Sequence, residues 1–498
     1  MTDSFSPDET HRVAPYSVDP EVDERPSFVA PMMLPPSDPA PVQMVPIFTL
    51  PRAPRPPRRA IAWIIVAVVV VLALVVAALV YFKPWAGVTP TTASPAKANI
   101  SKWTAVLGGN GRDVLIDMAL TDDGVVAVGY TRSTNGDFPV PHRANWADAV
   151  IVKMSADGKL VWAKTLGGTD DDEFDSVIVT PDGHIYAAGV FASTDGDHPV
   201  PAGQEQSVVF CFTSGGDVVW SKTYADSGLG YINGFAMAAD GGIIVLGYQP
   251  VYMDSYPGTA PNKIAELSPD GDVVWAHSYG DAGMFWDRLA VSSDGTIYAA
   301  GLAPDDTPDG LPDFTVTPTV FLVAINPNGT QLWLNAYTDD LNSIDVLIVR
   351  DGQIFVFGGY SYPDPDTGEF GGYQLFAALN AADGSVTWIT PMDGWPSFGS
   401  LCTTSGGDII AVGSYLNIDD VKPVMMSGAV IYDIASDGTL VWRRAYGDSG
   451  DYEFNTAVIS PNGNIVMVGG TSSPHGPFPS KYPGSSDALI AVLSPDGS

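Results

Sequence analysis

The sequence predicts an all-β fold: a seven-bladed β-propeller closed by N- and C-terminal strands, preceded by one transmembrane helix and a disordered tail. The first observation is a Gly-x-x-x-Trp unit, first seen at Gly158–Trp162, whose successive tryptophans are 58, 55, 58, 55 and 54 residues apart. Periods of this length are typical of propellers and repeat arrays. The second is that turn glycines recur in phase with the tryptophans. The third is that the repeat region begins with a tryptophan that lacks the preceding strand and ends with a strand that lacks the following tryptophan.

Residues 1–59 contain 14 prolines and show neither helical nor strand periodicity. Such a composition is typical of a disordered chain with polyproline II character. We therefore predict a disordered, Pro-rich cytoplasmic tail. A plain spacer is the simpler interpretation of this tail, and a segment that docks into an aromatic-lined groove is the alternative.

Residues 60–82 form an uncharged apolar run of 23 residues. As a helix this run would be about 34 Å long, enough to cross a bilayer core of about 30 Å. Arg52, Arg55, Arg58 and Arg59 precede it, whereas Lys83 alone follows closely. The positive-inside rule then places the N-terminus in the cytoplasm and the remainder outside. The sequence thus predicts a single-pass protein of the cell membrane, with residues 83–99 as a linker and residues 100–498 as an extracytoplasmic propeller.

The charge of the chain is strongly negative, with 57 acidic and 23 basic residues and a net charge of −34. Few cations are available to neutralise phosphates, which excludes nucleic acid as a partner. Cys211 and Cys402 are the two cysteines, too few for a disulfide framework or a cysteine-based zinc site. Two buried free thiols are the expected outcome.

One period of the repeat contains four short apolar stretches, of which two pairs are joined by tight turns rich in Asp and Gly. This is the pattern of one propeller blade. The turn glycine of the first pair recurs at Gly124, Gly183, Gly241, Gly295, Gly352, Gly407 and Gly463. A second glycine follows five or six residues later, at Gly129, Gly189, Gly247, Gly301, Gly358, Gly413 and Gly469.

The chain ends complement each other. Trp103 is followed by these landmarks but has no strand before it, whereas Asp487–Ser498 has the strand and turn but no tryptophan. We therefore predict that the last blade takes three strands from the C-terminus and its fourth from Ile100–Leu107. Such closure protects the strand edges between the first and last blades.

The phased tryptophans are expected to be structural, each packing against the neighbouring blade while its indole N–H finds a carbonyl. They are Trp103, Trp162, Trp220, Trp275, Trp333, Trp388 and Trp442. Ligand stacking is the alternative role. Trp146, Trp286 and Trp395 fall outside the phase and are predicted to lie at the surface, available for contacts.

Segments such as GGNGRDVLIDMALTDDGVVAVGYTRSTNGDFP (residues 108–139) resemble the bacterial β-propeller repeat called SBBP. Residues 167–199 and 447–479 resemble it less closely. The resemblance implies a propeller in an extracytoplasmic setting and implies no shared catalytic residues. The Gly-x-x-x-Trp phase also resembles the tryptophan-docking motif of quinoprotein propellers, which makes a quinoprotein-like dehydrogenase the alternative function. Such enzymes typically have adjacent cysteines over the cofactor, and Cys211 and Cys402 are not adjacent.

The longer connections between strands carry much of the acid and are predicted to gather on one face around the channel mouth. Loops on a rigid scaffold are where binding residues commonly lie. The candidate binding residues are Asp170, Asp171, Asp172, Asp305, Asp306, Asp364, Asp366, Asp419, Asp420, Asp448 and Asp451. A face of this kind would suit cations, basic peptides or envelope glycans. Acidic solvation of an exposed protein is the competing interpretation.

The sequence predicts neither a cofactor nor an enzyme. Calcium is the one ligand left open, because the aspartates offer hard oxygen atoms, although residues 170–175 lack EF-hand spacing. The six histidines form no metal-binding or catalytic pattern, and no nucleophile elbow or phosphate loop is present. The sequence favours a membrane-anchored module that binds or senses an envelope protein, peptide or glycan; a purely structural envelope scaffold is a further alternative.

Overall fold

The computed structural model describes residues 97–498 except for short gaps. The gaps are residues 140–145, 254–255, 260–261, 281–283, 304–318, 338–340, 342, 364–369, 393–395, 420–421, 447–451 and 483. The predicted tail, the predicted membrane span and most of the linker, residues 1–96, lie outside the described part of the chain.

The described residues form seven four-stranded antiparallel sheets, which confirms the seven-bladed propeller. The first strand of each blade adjoins the first strands of both neighbouring blades, so these seven strands form the inner ring. The strands of blades one to three, from the inside outward, are β2 (Asp113–Leu120), β3 (Gly124–Thr131), β4 (Asp148–Ser155) and β5 (Leu160–Leu166); β6 (Asp172–Val179), β7 (Ile185–Phe191), β8 (Gln206–Phe212) and β9 (Val218–Thr223); β10 (Tyr231–Met237), β11 (Ile243–Tyr248), β14 (Lys263–Leu267) and β15 (Val273–Ser278).

The remaining four blades repeat this order, with longer middle strands in blades five and six. Their strands are β16 (Phe285–Val291), β17 (Ile297–Ala303), β18 (Thr319–Ile325) and β19 (Gln331–Tyr337); β20 (Val346–Arg350), β21 (Gln353–Pro363), β22 (Phe370–Asn380) and β23 (Val386–Pro391); β24 (Pro396–Thr403), β25 (Ile409–Asp419), β26 (Lys422–Ile434) and β27 (Leu440–Tyr446); β28 (Tyr452–Ile459), β29 (Ile465–Thr471), β30 (Asp487–Leu493) and β1 (Thr104–Leu107). A separate hairpin, β12 (Pro250–Met253) with β13 (Tyr256–Thr259), extends blade three, and Ala225–Ser227 form one 3₁₀ turn.

Blade seven closes the ring as predicted, because β1 is its outermost strand. Strand β1 pairs antiparallel with β30, from Thr104 opposite Ala491 to Leu107 opposite Ala488. The segment before β1 is also held, since Ile100 is fully buried and its carbonyl accepts hydrogen bonds from two asparagine side chains of blade seven. The N-terminal segment therefore fastens the last blade through both backbone pairing and burial.

The connections of each blade separate onto two faces, as the sequence predicts. The turns between the first and second strands and between the third and fourth strands lie on one face, which we call the turn face. The longer connections lie on the opposite face, the loop face. The chain enters the propeller at the turn face, where the Ala98 N–H donates to the Thr121 carbonyl at 3.1 Å.

Each inner strand buries one large apolar side chain opposite the second landmark glycine. These residues are Leu115, Phe174, Ile232, Trp286, Ile344, Phe398 and Phe454, all at most 8% exposed. The prediction that Trp286 lies at the surface is wrong, because it fills this core position in blade four and its indole N–H donates to the Tyr279 carbonyl at 3.0 Å. Trp146 is 37% exposed, and Trp395 lies outside the described residues.

The second landmark glycine is required by a β-bulge in the strand beside it. A Cβ at Gly189 would lie 1.9 Å from the Glu173 carbonyl oxygen, and one at Gly469 would lie 1.9 Å from the Glu453 carbonyl oxygen. The pairing slips by one residue immediately afterwards, between Phe174 and Ser176 in blade two. A bulge inserts one extra residue and re-aims its side chain. The glycine phase in the sequence thus marks where the inner strands bulge.

Candidate functional site

One residue per blade lies at the same level of the inner ring, in most blades at the bulge. The bulged residues are Ile116, Asp175, Asn233, Asp287, Gly399 and Asn455. In blade five the corresponding residue is Asp345, directly before β20. Five of these seven residues, with their neighbours, line a cavity of about 410 Å³ in the central channel. This volume is in the range of small-molecule sites. The inner ring is the candidate functional site.

Two of the bulged residues are asparagines that join their blade to the next one. The Asn455 side-chain amide donates to the Leu115 carbonyl at 2.9 Å, and the Asn233 amide donates to the Trp286 carbonyl at 3.1 Å. Leu115 and Trp286 hold the same buried position in their respective blades. An amide donor at the bulge therefore satisfies a backbone acceptor across the blade interface.

Asp175 occupies the same bulged position in blade two, but an ionised carboxylate has no proton to donate. The carbonyl corresponding to those of Leu115 and Trp286 is that of Ile232. Asp175 and Ile232 both line the 410 Å³ cavity, and no side chain among the described residues donates to the Asp175 carboxylate or to the Ile232 carbonyl.

The electrostatic surroundings of Asp175 oppose its ionisation. Burial, followed by the negative charges of Glu173 and Asp117, raises the pKa of Asp175 to about 7. Asp117 differs, because its carboxylate accepts hydrogen bonds from the Val177 N–H at 2.8 Å and the Ser176 hydroxyl at 3.0 Å. An unpaired acid with a raised pKa in a cleft is a recognised sign of a binding or catalytic residue.

The aspartates at the corresponding position of blades four and five are associated with a cation. Asp287 forms an ion pair with Arg288 at 3.3 Å, and the Arg288 guanidinium also donates to the Asp345 carbonyl. Burial raises the pKa of both Asp287 and Asp345, and the charge of Arg288 acts in the opposite direction. Arg288 is close to both Asp287 and Asp345. Among the described residues, no cation is close to Asp175.

Replacing Asp175 with asparagine should stabilise the propeller at alkaline pH. Because the folded pKa is raised from 3.8 to about 7, ionisation of Asp175 costs stability as the pH rises through that window. We expect Asp175→Asn to raise the free energy of unfolding by about 1–2 kcal/mol at pH 8, after allowance for screening by solvent in the channel. The difference should vanish below pH 4.

Denaturant unfolding of both proteins at several pH values measures this difference. Asp175→Leu serves as the control, since it removes the charge without supplying a donor to the Ile232 carbonyl. A stability gain that is the same at pH 4 and pH 8 would contradict the assigned ionisation.

The predicted acidic loop residues are mostly outside the described part of the chain. Asp305, Asp306, Asp364, Asp366, Asp420, Asp448 and Asp451 are not described, and for Asp419 only the strand is. Asp170 and Asp171 are half-buried on the loop face, and Asp171 pairs with Arg132 at 3.3 Å. Asp172 is 1% exposed, and its carboxylate is bound by donors of Gly168, Ala192 and Ser193. Asp172 therefore organises the loop and is not presented for binding.

Among the described residues, acidic side chains also lie on the turn face, and the predicted acidic loop face stays a prediction. The turn face carries Asp122, Asp123, Asp157, Asp182, Asp217, Asp240, Asp270, Asp272, Asp294, Asp351, Asp383, Asp408, Asp437 and Asp496. Asp294 shows the common reason: it accepts from the Ser292 hydroxyl at 2.5 Å and the Thr296 N–H at 3.0 Å, and these bonds lower its pKa. Asp is favoured in turns for this local bonding, so turn formation supplies much of the negative charge.

The phased tryptophans connect neighbouring blades in a closed series. In each case the tryptophan ring lies against the motif glycine of the next blade, so that a Cβ added at this glycine would contact the ring. The pairs are Trp103 with Gly158, Trp162 with Gly216, Trp220 with Gly271, Trp275 with Gly329, Trp333 with Gly384, Trp388 with Gly438, and Trp442 with Gly497. Trp103 and Gly497 lie at opposite ends of the repeat region but both belong to blade seven. Trp103 contacts blade one and Gly497 contacts Trp442 of blade six, so blade seven completes the series.

Several of these indoles also donate across the blade interface. Trp103 donates to the Ala156 carbonyl at 3.1 Å, and Trp220 donates to the Pro269 carbonyl at 3.2 Å. Trp275 differs, because it donates to Glu266 of its own blade at 2.6 Å. All seven rings are partly buried between blades, which agrees with the predicted structural role.

The structure does not place the two cysteines together. Cys211 lies in β8 of blade two and Cys402 in β24 of blade six, and both are free thiols. Burial raises the pKa of Cys211 to about 11. Within the described ranges no three His, Cys, Asp or Glu side chains are grouped as metal ligands. Calcium binding and quinone chemistry therefore stay predictions from the sequence.

Sequence reasoning missed the inner ring, although a signal for it was present. The second landmark glycine recurs in the sequence, but its spacing does not show which residue of the inner strand lies opposite it. Aligning each inner strand on its buried apolar residue would have placed Asp175, Asn233 and Asn455 at one position. The consequence, a bulge that points into the channel, needs the strand pairing to be known.

Comparison with known proteins finds distant structural similarity and no sequence match. No protein-family model and no curated sequence matches the chain. A protein of unknown function from Bacteroides caccae is 16% identical with a TM-score of 0.34, covering 60% of this chain and 90% of that chain. Polysaccharide lyase Uly1 is 10% identical with a TM-score of 0.44, covering 82% of this chain and 95% of that chain. Drosophila Plexin A in complex with Semaphorin 1b is 10% identical with a TM-score of 0.41, covering 80% of this chain and 88% of that chain.

These similarities are too low to support any shared activity, so the class of protein rests on strand pairing. The chain contains a seven-bladed β-propeller closed by its N-terminal strand. Among the residues that the structure describes, no helix has the length and apolar character needed to cross a membrane. The apolar run at residues 60–82 lies outside those residues.

Proposed function

We propose that this chain is a membrane-anchored, extracytoplasmic propeller that binds a small organic cation in its central channel and so acts as a binding or sensing module. The observation that carries the proposal is the unpaired Asp175 carboxylate in a 410 Å³ cavity. An ammonium or guanidinium group is all donor and no acceptor. Such a group would satisfy both the Asp175 carboxylate and the Ile232 carbonyl.

The neighbouring lining residues suit the same type of ligand. Asn233, Asn455 and Thr456 surround the cavity with amide and hydroxyl groups, while Phe235 and Ile116 supply apolar surface. A few polar groups in a partly apolar cavity are typical of small-molecule sites. The ligand would carry one cationic end and a short apolar body.

The membrane anchor is supported by the sequence. Residues 60–82 are long enough to span a bilayer, and the four arginines before them favour an N-terminus in the cytoplasm. With this topology the channel would be exposed to the envelope side. Any signal would reach the cytoplasm through the tail, residues 1–59.

Calorimetric titration of the full-length protein in detergent tests the cation site. Suitable probes are n-butylamine, 1,4-diaminobutane and methylguanidine. We expect at least one to bind at pH 8, and Asp175→Asn to weaken binding by at least about tenfold, the usual effect of losing a charged hydrogen bond. Because a proton competes for Asp175, whose pKa is about 7, affinity should fall as the pH drops below 7.

The matched control is Asp287→Asn, which changes the same bulged position in blade four where the carboxylate is already paired with Arg288. Its affinity for the probes should stay within about twofold of the unmodified protein. If none of the three probes binds, or if Asp175→Asn binds them as tightly as the original chain, the channel is not a cation site. A purely structural scaffold would then be the better interpretation.

A further inference from the structure

A second cavity, of about 350 Å³, lies on the loop face where blades six, seven and one meet. It is lined by residues of three separate blades, so closure of the ring creates it. Its lining consists of Arg112, Ser414, Tyr452, Glu453, Gly470, Ser472 and Ser486. Apart from one glycine, every one of these residues carries a polar side-chain group. The cavity is distinct from the channel site around Asp175.

Arg112 provides the positive charge of this cavity. Its side chain is exposed, and its guanidinium lies 6.0 Å from the centre of the Tyr130 ring. Among the described residues no carboxylate forms an ion pair with Arg112, although the chain has more than twice as many acidic as basic residues. Arg132, on the same ring at 6.0 Å, is paired with Asp171 at 3.3 Å. The Arg112 donors are therefore available to a ligand.

Glu453 provides the negative charge. It is half-buried in the inner strand β28, and no donor among the described residues binds its carboxylate. A Cβ at Gly470 would lie 3.1 Å from the Glu453 carboxylate and 3.3 Å from the Ser486 hydroxyl. Because residue 470 is glycine, this carboxylate and hydroxyl stay open to the cavity. Arg112 and Glu453 line one cavity without pairing with each other.

We propose that this loop-face cavity binds the zwitterionic head of a free α-amino acid. A guanidinium binds a carboxylate through two parallel hydrogen bonds. The Glu453 carboxylate accepts from an ammonium group, and the hydroxyls of Ser414 and Ser486 can complete its hydrogen bonding. A ligand with one charge of each sign neutralises both side chains, which a simple anion or cation cannot do. The cavity volume suits a ligand of amino-acid size.

A melting-temperature screen of the full-length protein in detergent, with each common α-amino acid at millimolar concentration, tests this site. We expect at least one amino acid to raise the melting temperature, since a ligand that binds the folded state stabilises it. Its N-acetyl derivative lacks the ammonium group and its carboxamide lacks the carboxylate. Both derivatives should bind at least about tenfold more weakly by calorimetry.

Arg112→Gln and Glu453→Gln should each weaken binding of the responding amino acid by at least about tenfold. Arg132→Gln and Glu173→Gln are matched controls: Arg132 flanks the same Tyr130 ring, and Glu173 holds the position in blade two that Glu453 holds in blade seven. Neither control residue lines the cavity, so both variants should bind normally. Melting of all four variants without ligand checks that they fold.

The proposal is overturned if no amino acid stabilises the protein, if the N-acetyl derivative binds as well as the free amino acid, or if both control variants lose binding together with Arg112→Gln. The Glu173→Gln variant also distinguishes ligand binding in the loop-face cavity from cation binding in the channel. Because Glu173 is a neighbour of Asp175, its loss should change cation binding in the channel while amino-acid binding on the loop face is retained.

Discussion

Deletion of residues 97–107 should abolish cooperative folding of the propeller. These residues supply the outer strand of blade seven, the fully buried Ile100 and the Trp103 ring that lies against Gly158. Losing one large buried side chain costs about 2–5 kcal/mol, so removal of the whole segment should cost more than about 5 kcal/mol, comparable to the net stability of many domains. Thermal unfolding followed by near-UV circular dichroism measures the loss.

An internal deletion of residues 86–93 is the control, because it shortens the chain by a similar length without touching the segment that fastens blade seven. This variant should unfold like the full-length protein. If the protein lacking residues 97–107 melts at the same temperature and with the same sharpness as the control, blade seven does not depend on the N-terminal strand.

Replacement of Trp220 with alanine should destabilise the propeller by about 3–5 kcal/mol, the usual cost of removing a large packed aromatic side chain. The ring lies against Gly271, packs on Tyr186 with ring centres 5.8 Å apart and donates to the Pro269 carbonyl. Gly271→Ala should also be costly, since its Cβ would lie 2.6 Å from that ring and its φ is +76°. Urea unfolding gives both values.

Gly241→Ala is the matched control for the glycine. Its φ is +92° and no atom lies within 4 Å of the added Cβ, so it reports the backbone penalty alone, about 1–2 kcal/mol. Gly271→Ala should exceed it by about 1–3 kcal/mol through overpacking. In the double variant with Trp220→Ala this excess should disappear, because the clashing ring is gone. Strictly additive effects would show that the two residues do not pack against each other.

The sequence predicted the fold well because its landmarks mark local requirements that do not depend on the rest of the molecule. Asp-Gly turns need a residue with positive φ, and Gly158 at +83° and Gly183 at +89° supply it. The continuous apolar stretches are explained by strands that are buried between two neighbouring blades. The complementary chain ends predicted the pairing of β1 with β30, which the strand register confirms.

The candidate site was predicted far less well, and the acidic residues show why. An aspartate looks the same in the sequence whatever its role in the fold. Asp294 closes a turn, Asp172 organises a loop, and Asp175 lies unpaired in the channel. Their roles differ through neighbours that are distant along the chain. The number of acidic residues in the long loops therefore does not by itself distinguish these roles.

The sequence by itself determined the number of blades, the closure of the ring and the spacing of the tryptophans, since each depends on a repeated local pattern. The tertiary structure alone decided which polar side chains lie together. Only when the seven inner strands come together do their bulges meet at one level, with Asn233 and Asn455 satisfying neighbouring carbonyls and Asp175 unable to do so. The closed ring likewise brings Arg112 and Glu453, 341 positions apart in the sequence, into one cavity.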